Sequence, residues 1–162
     1  MSKTKFVAYA ARSFWAYDVA LNVFLKHLID AARASDQADT PWLSGAISDW
    51  RVTCVPDFGL KLDTNWTAAQ QQTFCILAEQ ACATLAERES ISAEEIVSWR
   101  ILEDLQLYTR GETEVSTGPV IELGRAIIAL VSGHLPDAPE GKIWIYGAPE
   151  GRTTIGWQRD PL

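Results

Sequence analysis

The strongest constraint on this chain lies in its last third, where the spacing of apolar residues switches from helical to alternating. In "GPVIELGRAIIALVSG", Leu123, Ile127, Leu130 and Val131 recur at helical spacing. Pro119 suits a first helical turn, and Gly133 followed by Pro136 ends the helix. The link "HLPDAPEG" then leads into "IWIYGAPEGRTTIGW", where two runs of aliphatic, aromatic and threonine residues flank Gly147 to Gly151. A helix followed directly by a hairpin fits neither an all-helical bundle nor a sandwich of strands. It predicts an α+β fold.

With Pro149-Glu150 central in the turn, Tyr146 pairs with Thr153, Trp144 with Ile155 and Lys142 with Trp157. That register gathers Trp144, Tyr146, Ile155 and Trp157 on one face, and Ile143, Ile145 and Thr154 on the other. One face must cover the helices; the other would expose an apolar patch of the kind that binds a partner. Trp144, Tyr146 and Trp157 are therefore candidate contact residues. The loop is a poor phosphate cradle, because Pro149 removes a donor, Glu150 adds negative charge, and a strand follows instead of a helix.

The remaining sequence reads as more helix around the same core. From about Phe6 to Ala34, Val7, Ala10, Phe14, Tyr17, Leu21, Phe24, Leu25 and Leu28 fall on one helical face, with Arg12, Asn22, Lys26, Asp30 and Arg33 opposite. Alternation at Trp50, Val52 and Cys54, the turn Pro56 to Gly59, and alternation at Leu60 and Leu62 predict a second short hairpin near residues 50–62. Thr67 or Asn65 can cap a helix to about Glu89, with Phe74, Ala78, Ala81 and Leu85 inward. Ser92 with Glu95 three residues on starts a third helix reaching about Tyr108, apolar on two sides. The expectation is about four helices around one core, a single globular domain over residues 1–162. At 162 residues, 48% hydrophobic and 22% charged, the chain has the composition for one such core.

Few residues here carry chemistry. Asp57-Phe58-Gly59 spells the metal-binding tripeptide of protein kinases, but no glycine-rich loop, strand lysine or His-Arg-Asp loop precedes it, so it reads as a turn. Two histidines, His27 and His134, do not make a zinc site; a solvated helix face and a helix end account for them. Ser132 and His134 are too close in sequence for a nucleophile–base pair, and no Walker, GxSxG or GxGxxG motif appears. We expect no enzyme activity, no cofactor and no metal. Cys54, Cys75 and Cys82 are odd in number and lack CxxC spacing, which suits free thiols in a reducing cytoplasm. Arg12 interrupts any leader-like apolar run, and no window is long enough to span a membrane.

The formal charge of −7 opposes nucleic-acid binding, since no two cations are adjacent, and favours a basic protein partner. Six acidic residues, Glu87, Glu89, Glu94, Glu95, Glu103 and Asp104, concentrate within one segment. Glu94 and Glu95 point about 100° apart on a helix and make a poor acid–base pair. A solvated acidic face is the simpler account, and a docking surface formed with Glu103 and Asp104 is the functional one. Seven tryptophans add candidate interface anchors, chiefly Trp42, Trp66, Trp144 and Trp157.

The helix "GPVIELGRAIIALVSG", the link "HLPDAPEG" and the hairpin "IWIYGAPEGRTTIGW" resemble the small acidic immunity proteins that bacteria encode beside polymorphic or contact-delivered toxins. The resemblance covers under a third of the chain and transfers no motif residue. It implies a cytoplasmic, non-enzymatic protein that neutralises a toxin domain by covering its active site; we expect a monomer or homodimer. Two other readings stay open: a small enzyme or ligand-binding domain with a pocket between helices and hairpin, and an oligomerising structural subunit using the two-sided third helix.

Overall fold

The computed structural model describes residues 3–102 and 105–156. The fold is α+β, with helices packed on one face of a mixed sheet and the chain's last two described strands forming a hairpin. It opens with a hairpin, β1 (Thr4–Tyr9) and β2 (Arg12–Tyr17), joined through Ala10, which takes φ +53°. Helix α1 (Asp18–Ala34) follows without a break. Next come α2 (Pro41–Thr53), β3 (Leu60–Lys61) and α3 (Ala68–Leu85). Three short pieces, β4 (Ser90–Ser92), α4 (Ala93–Ser98) and the pair β5 (Arg100–Leu102) and β6 (Leu105–Gln106), lead to β7 (Glu114–Ser116), α5 (Thr117–Ser132), β8 (Lys142–Tyr146) and β9 (Thr153–Gly156).

The main sheet has the order β3-β1-β2-β8-β9, with β2 and β8 parallel. Val7 pairs with Phe14 and Lys5 with Ala16, so these four residues share the face that meets the helices. Helix α1 is the centre of the helical layer, touching α2, α3 and α5, which explains why almost every residue from Asp18 to Ile29 is buried. Helix α5 crosses α1 and α3 at Gly124, where an added Cβ would lie 2.6 Å from the Phe24 ring and 2.7 Å from Cys82 Sγ. The α5 terminator is a Schellman motif: Gly133 at φ +76° lets His134 N–H donate to Ala129 O and Gly133 N–H donate to Leu130 O. Among the described residues no helix is long and apolar enough to cross a membrane.

Five local expectations are corrected. Residues 4–17 form a hairpin, not the start of a helix. Val7 and Phe14 lie seven apart, two helical turns by spacing, yet the tight turn at Ala10 sets them opposite each other across two strands. Residues 41–53 are helical: Leu43, Ala46, Ile47 and Trp50 are buried at helical spacing, while Val52, 45% exposed, breaks the inferred alternation. Only Leu60–Lys61 of the second hairpin is a strand, and it pairs with β1. The third helix stops at Ser98, where Trp99 turns extended and the chain enters β5. Finally, the C-terminal hairpin is shifted by one residue. Ile143 pairs with Ile155, Trp144 with Thr154 and Ile145 with Thr153, so seven residues, 146–152, separate the last paired residues where the expected register left six.

Candidate functional site: an uncovered sheet face and its acidic end

The shifted register decides which side of the hairpin looks outward. Tyr146 lies beside Ala16, on the helix face, and is buried edge-on against the Phe14 ring, 5.0 Å away. Trp144 shares that side, half-buried, with its indole N–H donating to Pro136 O at 2.8 Å and the Arg152 guanidinium 4.4 Å above its ring. The opposite side carries Ile143, Ile145 and Ile155. Ile143 is covered, Ile145 is half-buried and Ile155 is 50% exposed. Ile145 stands beside Trp15, which packs edge-on against Phe6 at 5.0 Å. Phe6, Trp15 and Ile145, each half-buried, and the exposed Ile155 thus lie on one side of four strands, Ile155 standing diagonal to Ile145, whose direct partner is Thr153.

At one end of this band a cleft of about 310 Å³ opens between Phe6, Trp15, Phe58 and Tyr108. Phe58 is 52% exposed although its loop is firmly held. Asp57 takes φ +70°, and Gly59 lies so close to Phe6 that a Cβ would meet Phe6 O at 2.7 Å. Beneath the loop, the buried Lys5 ammonium donates to Thr53 O at 2.5 Å, Val55 O at 3.1 Å and Asn22 Oδ1 at 3.3 Å. These two carbonyls lie at the C-terminus of α2, where a cation is favoured. Burial pushes the Lys5 amine below its ordinary value, with Asp18 among the groups acting against that.

Asp18 opens α1 and is 1% exposed. Its carboxylate accepts from Val19 N–H at 2.8 Å, from Tyr108 O–H at 2.8 Å and from Arg110 Nε and Nη2. Burial and the hydrogen bond to Asp18 push the Tyr108 phenol up to about 12. Asn22 Nδ2, beside the Tyr108 phenol, makes no hydrogen bond of normal geometry. The floor of the cleft is an ionic network in which the charged groups are engaged and Asn22 Nδ2 is left open. Lys5 has spent its three N–H groups and Asp18 has filled its oxygens, so neither is poised to act on a substrate.

On the other side of Tyr17 a second cavity, about 280 Å³, lies under the Gly147–Gly151 loop. Val19, Ala20, Val115, Pro119 and Pro149 give it apolar walls, and Glu112 and Glu114 give it carboxylates. Gly147 is held at φ +88° against Ala20, and Arg152 N–H donates to Glu122 Oε1 at 2.8 Å, fixing the loop over α5. Burial raises the Tyr17 phenol, and Asp18, Glu112 and Glu150 raise it further while Arg110 opposes them.

The residues singled out from sequence are dispersed. Trp144 and Tyr146 sit together, rings 6.1 Å apart, but on the helix side of the sheet. Glu94 is exposed in the first turn of α4; Glu95 N–H donates to the capping Ser92 Oγ at 3.2 Å, and the Glu95 carboxylate pairs with Arg88 at 2.5 Å. Trp157, Glu103 and Asp104 lie outside the described residues. The three cysteines are free; burial raises the Cys54 thiol to about 12 and the Cys82 thiol to about 11. Sequence reasoning missed Phe6, Trp15 and the Lys5–Asp18–Arg110 network. The one available signal was Lys5 alternating with Val7 and Tyr9 as a strand would. Compared with family profiles, curated proteins and solved structures, the chain matches none of them, so the site is read from its own geometry.

Proposed function

We propose that this protein is a protein-binding inhibitor that docks a basic partner on the uncovered face of its five-stranded sheet. The observation that carries the reading is the band Phe6, Trp15, Ile145 and Ile155, continued by the exposed Phe58 on an anchored loop. Rigid aromatic side chains at the centre of a face are the usual source of interface energy. The overall charge of −7 selects a basic partner and speeds its approach. The engaged charges on the floor of the cleft favour binding over catalysis. In its most concrete form the proposal is an immunity protein, acting in the cytoplasm, that occludes the active site of a cognate toxin domain.

The test is capture from the native host with the wild-type chain beside Trp15→Ser and Phe6→Ser, each checked for an unchanged melting temperature. The expected result is one basic protein retained by the wild type and lost by both variants. Expressed alone, that protein should stop growth, and co-expression of the wild-type chain should restore it. A captured protein that both variants still bind would overturn the docking face, and a captured protein harmless to its host would overturn the immunity assignment.

A further inference from the structure

We infer that two copies of this chain pair through the outer face of α3, antiparallel about a two-fold axis at Ile76, to give a weak reversible dimer. The inference does not rest on the docking face proposed above, which lies across the sheet from the helices. Helix α3 turns Phe74, Ala78, Ala81 and Leu85 inward and packs on α1 and α5. Its opposite face is exposed and carries Ala69, Gln72, Ile76, Gln80 and Ala83. Ile76, at the middle, is 51% exposed. A lone exposed isoleucine would mean little. What marks this face is the near absence of charge: Glu79 is the one charged residue in α3, in a chain that is 22% charged.

The order of the residues selects a second copy as the occupant. A two-fold interface sets a residue some places before the centre against the residue the same number of places after it. About Ile76 the stripe reads alike in both directions, with glutamine four residues away on each side (Gln72, Gln80) and alanine seven away (Ala69, Ala83). Ile76 then meets Ile76 of the second copy. Ala69 meets its Ala83, and both are small enough for the helices to approach closely. A seven-residue stripe drifts by about 20° per heptad, which a crossing near 20° follows over the roughly 21 Å from Ala69 to Ala83.

Charge is matched as well. On one flank of the stripe, Gln72 of each copy falls beside Glu79 of the other, so a neutral amide donates to the carboxylate. On the other flank, Gln80 falls beside Thr73, whose hydroxyl already donates to Ala69 O at 3.1 Å. The side chains of Gln70 and Gln71 are spent on the α3 cap and on Tyr9 Oη, whereas those of Gln72, Gln80 and Glu79 bond to no described residue. With −7 on each copy, a face that set carboxylates together would be repelled, and this one sets none together. Beside the stripe an open groove of about 460 Å³ runs between Ala31 and Ala34 of α1 and Leu77 and Thr84 of α3, with Asp36 the one charged residue on it. It leaves room for the second copy's Gln80 beside Thr73. One helix face is well short of the about 20–30 residues per side of a stable interface, so the pairing is weak. It leaves both docking faces open, and the dimer presents two.

The test is sedimentation of the full chain from about 10 µM to about 1 mM, beside Ile76→Glu checked for an unchanged melting temperature. We expect the wild-type average mass to climb toward twice that of the monomer. Ile76→Glu, which sets two carboxylates together, should weaken association at least roughly tenfold. Cross-linking in a Cys75→Ser background reads the register. Ala69→Cys mixed with Ala83→Cys should form a disulfide-linked dimer under mild oxidation; Ala69→Cys alone should not, because the two copies of residue 69 lie at opposite ends of the stripe. A wild type that stays monomeric throughout, association indifferent to Ile76→Glu, or Ala69→Cys linking to itself as readily as to Ala83→Cys would each overturn the pairing. Partner capture completes the test. Ile76→Glu should retain the same protein as the wild type; its loss would give this face to that protein and overturn the pairing between copies.

Discussion

Arg110 grips both carboxylate oxygens of Asp18, with Nε 3.1 Å from Oδ1 and 2.9 Å from Oδ2, and Nη2 2.6 Å from Oδ2. The two residues are not equally enclosed: the Asp18 side chain is 1% exposed and that of Arg110 19%. The pair therefore predicts an asymmetry. Arg110→Gln strands a buried carboxylate and should cost about 3–5 kcal/mol. Asp18→Asn keeps an acceptor and leaves a guanidinium that can turn to water, so about 1–3 kcal/mol is expected. Urea unfolding of both variants measures the difference. Equal costs would mean that Arg110 is as desolvated as its partner.

Gly124→Ala should destabilise the fold although it improves helix propensity. Alanine gains about 1 kcal/mol over glycine in a helix interior. Against that, the new methyl would sit 2.6 Å from Phe24 Cε2 and 2.7 Å from Cys82 Sγ, and both neighbours are buried on other helices. Overpacking of this kind costs about 1–3 kcal/mol or more, so a net loss of about 1–2 kcal/mol is expected. Adding Cys82→Ala, which removes one of the two collisions, should return part of the loss. A double variant no more stable than Gly124→Ala would place the strain elsewhere.

His27 should make stability fall on the acid side. Its ring is buried, with Nδ1 2.8 Å from Val23 O and the ring edge-on to Trp99 at 5.6 Å. Burial holds its pKa below 6.5, with Lys26 adding to that effect. The unfolded chain thus binds a proton at a pH where the folded chain does not, and stability is present above pH 6.5 and lost as pH falls through the folded value. Unfolding free energies at about pH 7.5 and about pH 5 should differ more in the wild type than in His27→Gln. The same loss in both proteins would assign it to carboxylates.

What could be read from sequence followed from local rules. Helix α5 was legible because its periodicity, Pro119 and Gly133 all mark the same boundaries, and α3 because Thr67 and Gln70 form a capping box. The C-terminal hairpin was legible in place but not in register, since Thr153 pairs with Ile145 and leaves Tyr146 to its neighbour Ala16 in β2, a long-range partner that local spacing does not show. The opening hairpin was hidden because seven-residue spacing fits both two helical turns and the Val7–Phe14 pair. The site was less legible still. Trp15 meets Ile145 across two strands, and Asp18 meets Arg110 from opposite halves of the chain, so no local spacing could announce either.

Lys5→Met separates the anchoring of the Phe58 loop from global stability. Methionine keeps the apolar stem but removes the donors to Thr53 O, Val55 O and Asn22 Oδ1. Two effects oppose each other. Removing a desolvated charge is often neutral or favourable when an apolar residue fills the space, while unsatisfied buried acceptors cost about 1–3 kcal/mol. Global stability should therefore change by no more than about 1–2 kcal/mol. The local consequence is one-sided, because these hydrogen bonds tie the end of α2 directly to β1. Val55 O also accepts from Phe58 N–H at 3.4 Å, so the segment carrying Phe58 loses its fixed base. Hydrogen exchange of the amides from 55 to 59 should speed up about tenfold, a local loss of about 1.4 kcal/mol, with α3 and α5 unaffected. If Phe58 anchors the partner, affinity should drop in Lys5→Met while Phe58 itself is unchanged. Unaltered exchange in this loop would show that Gly59 packing on Phe6 suffices to hold it, and Lys5 would then serve the α2 terminus alone.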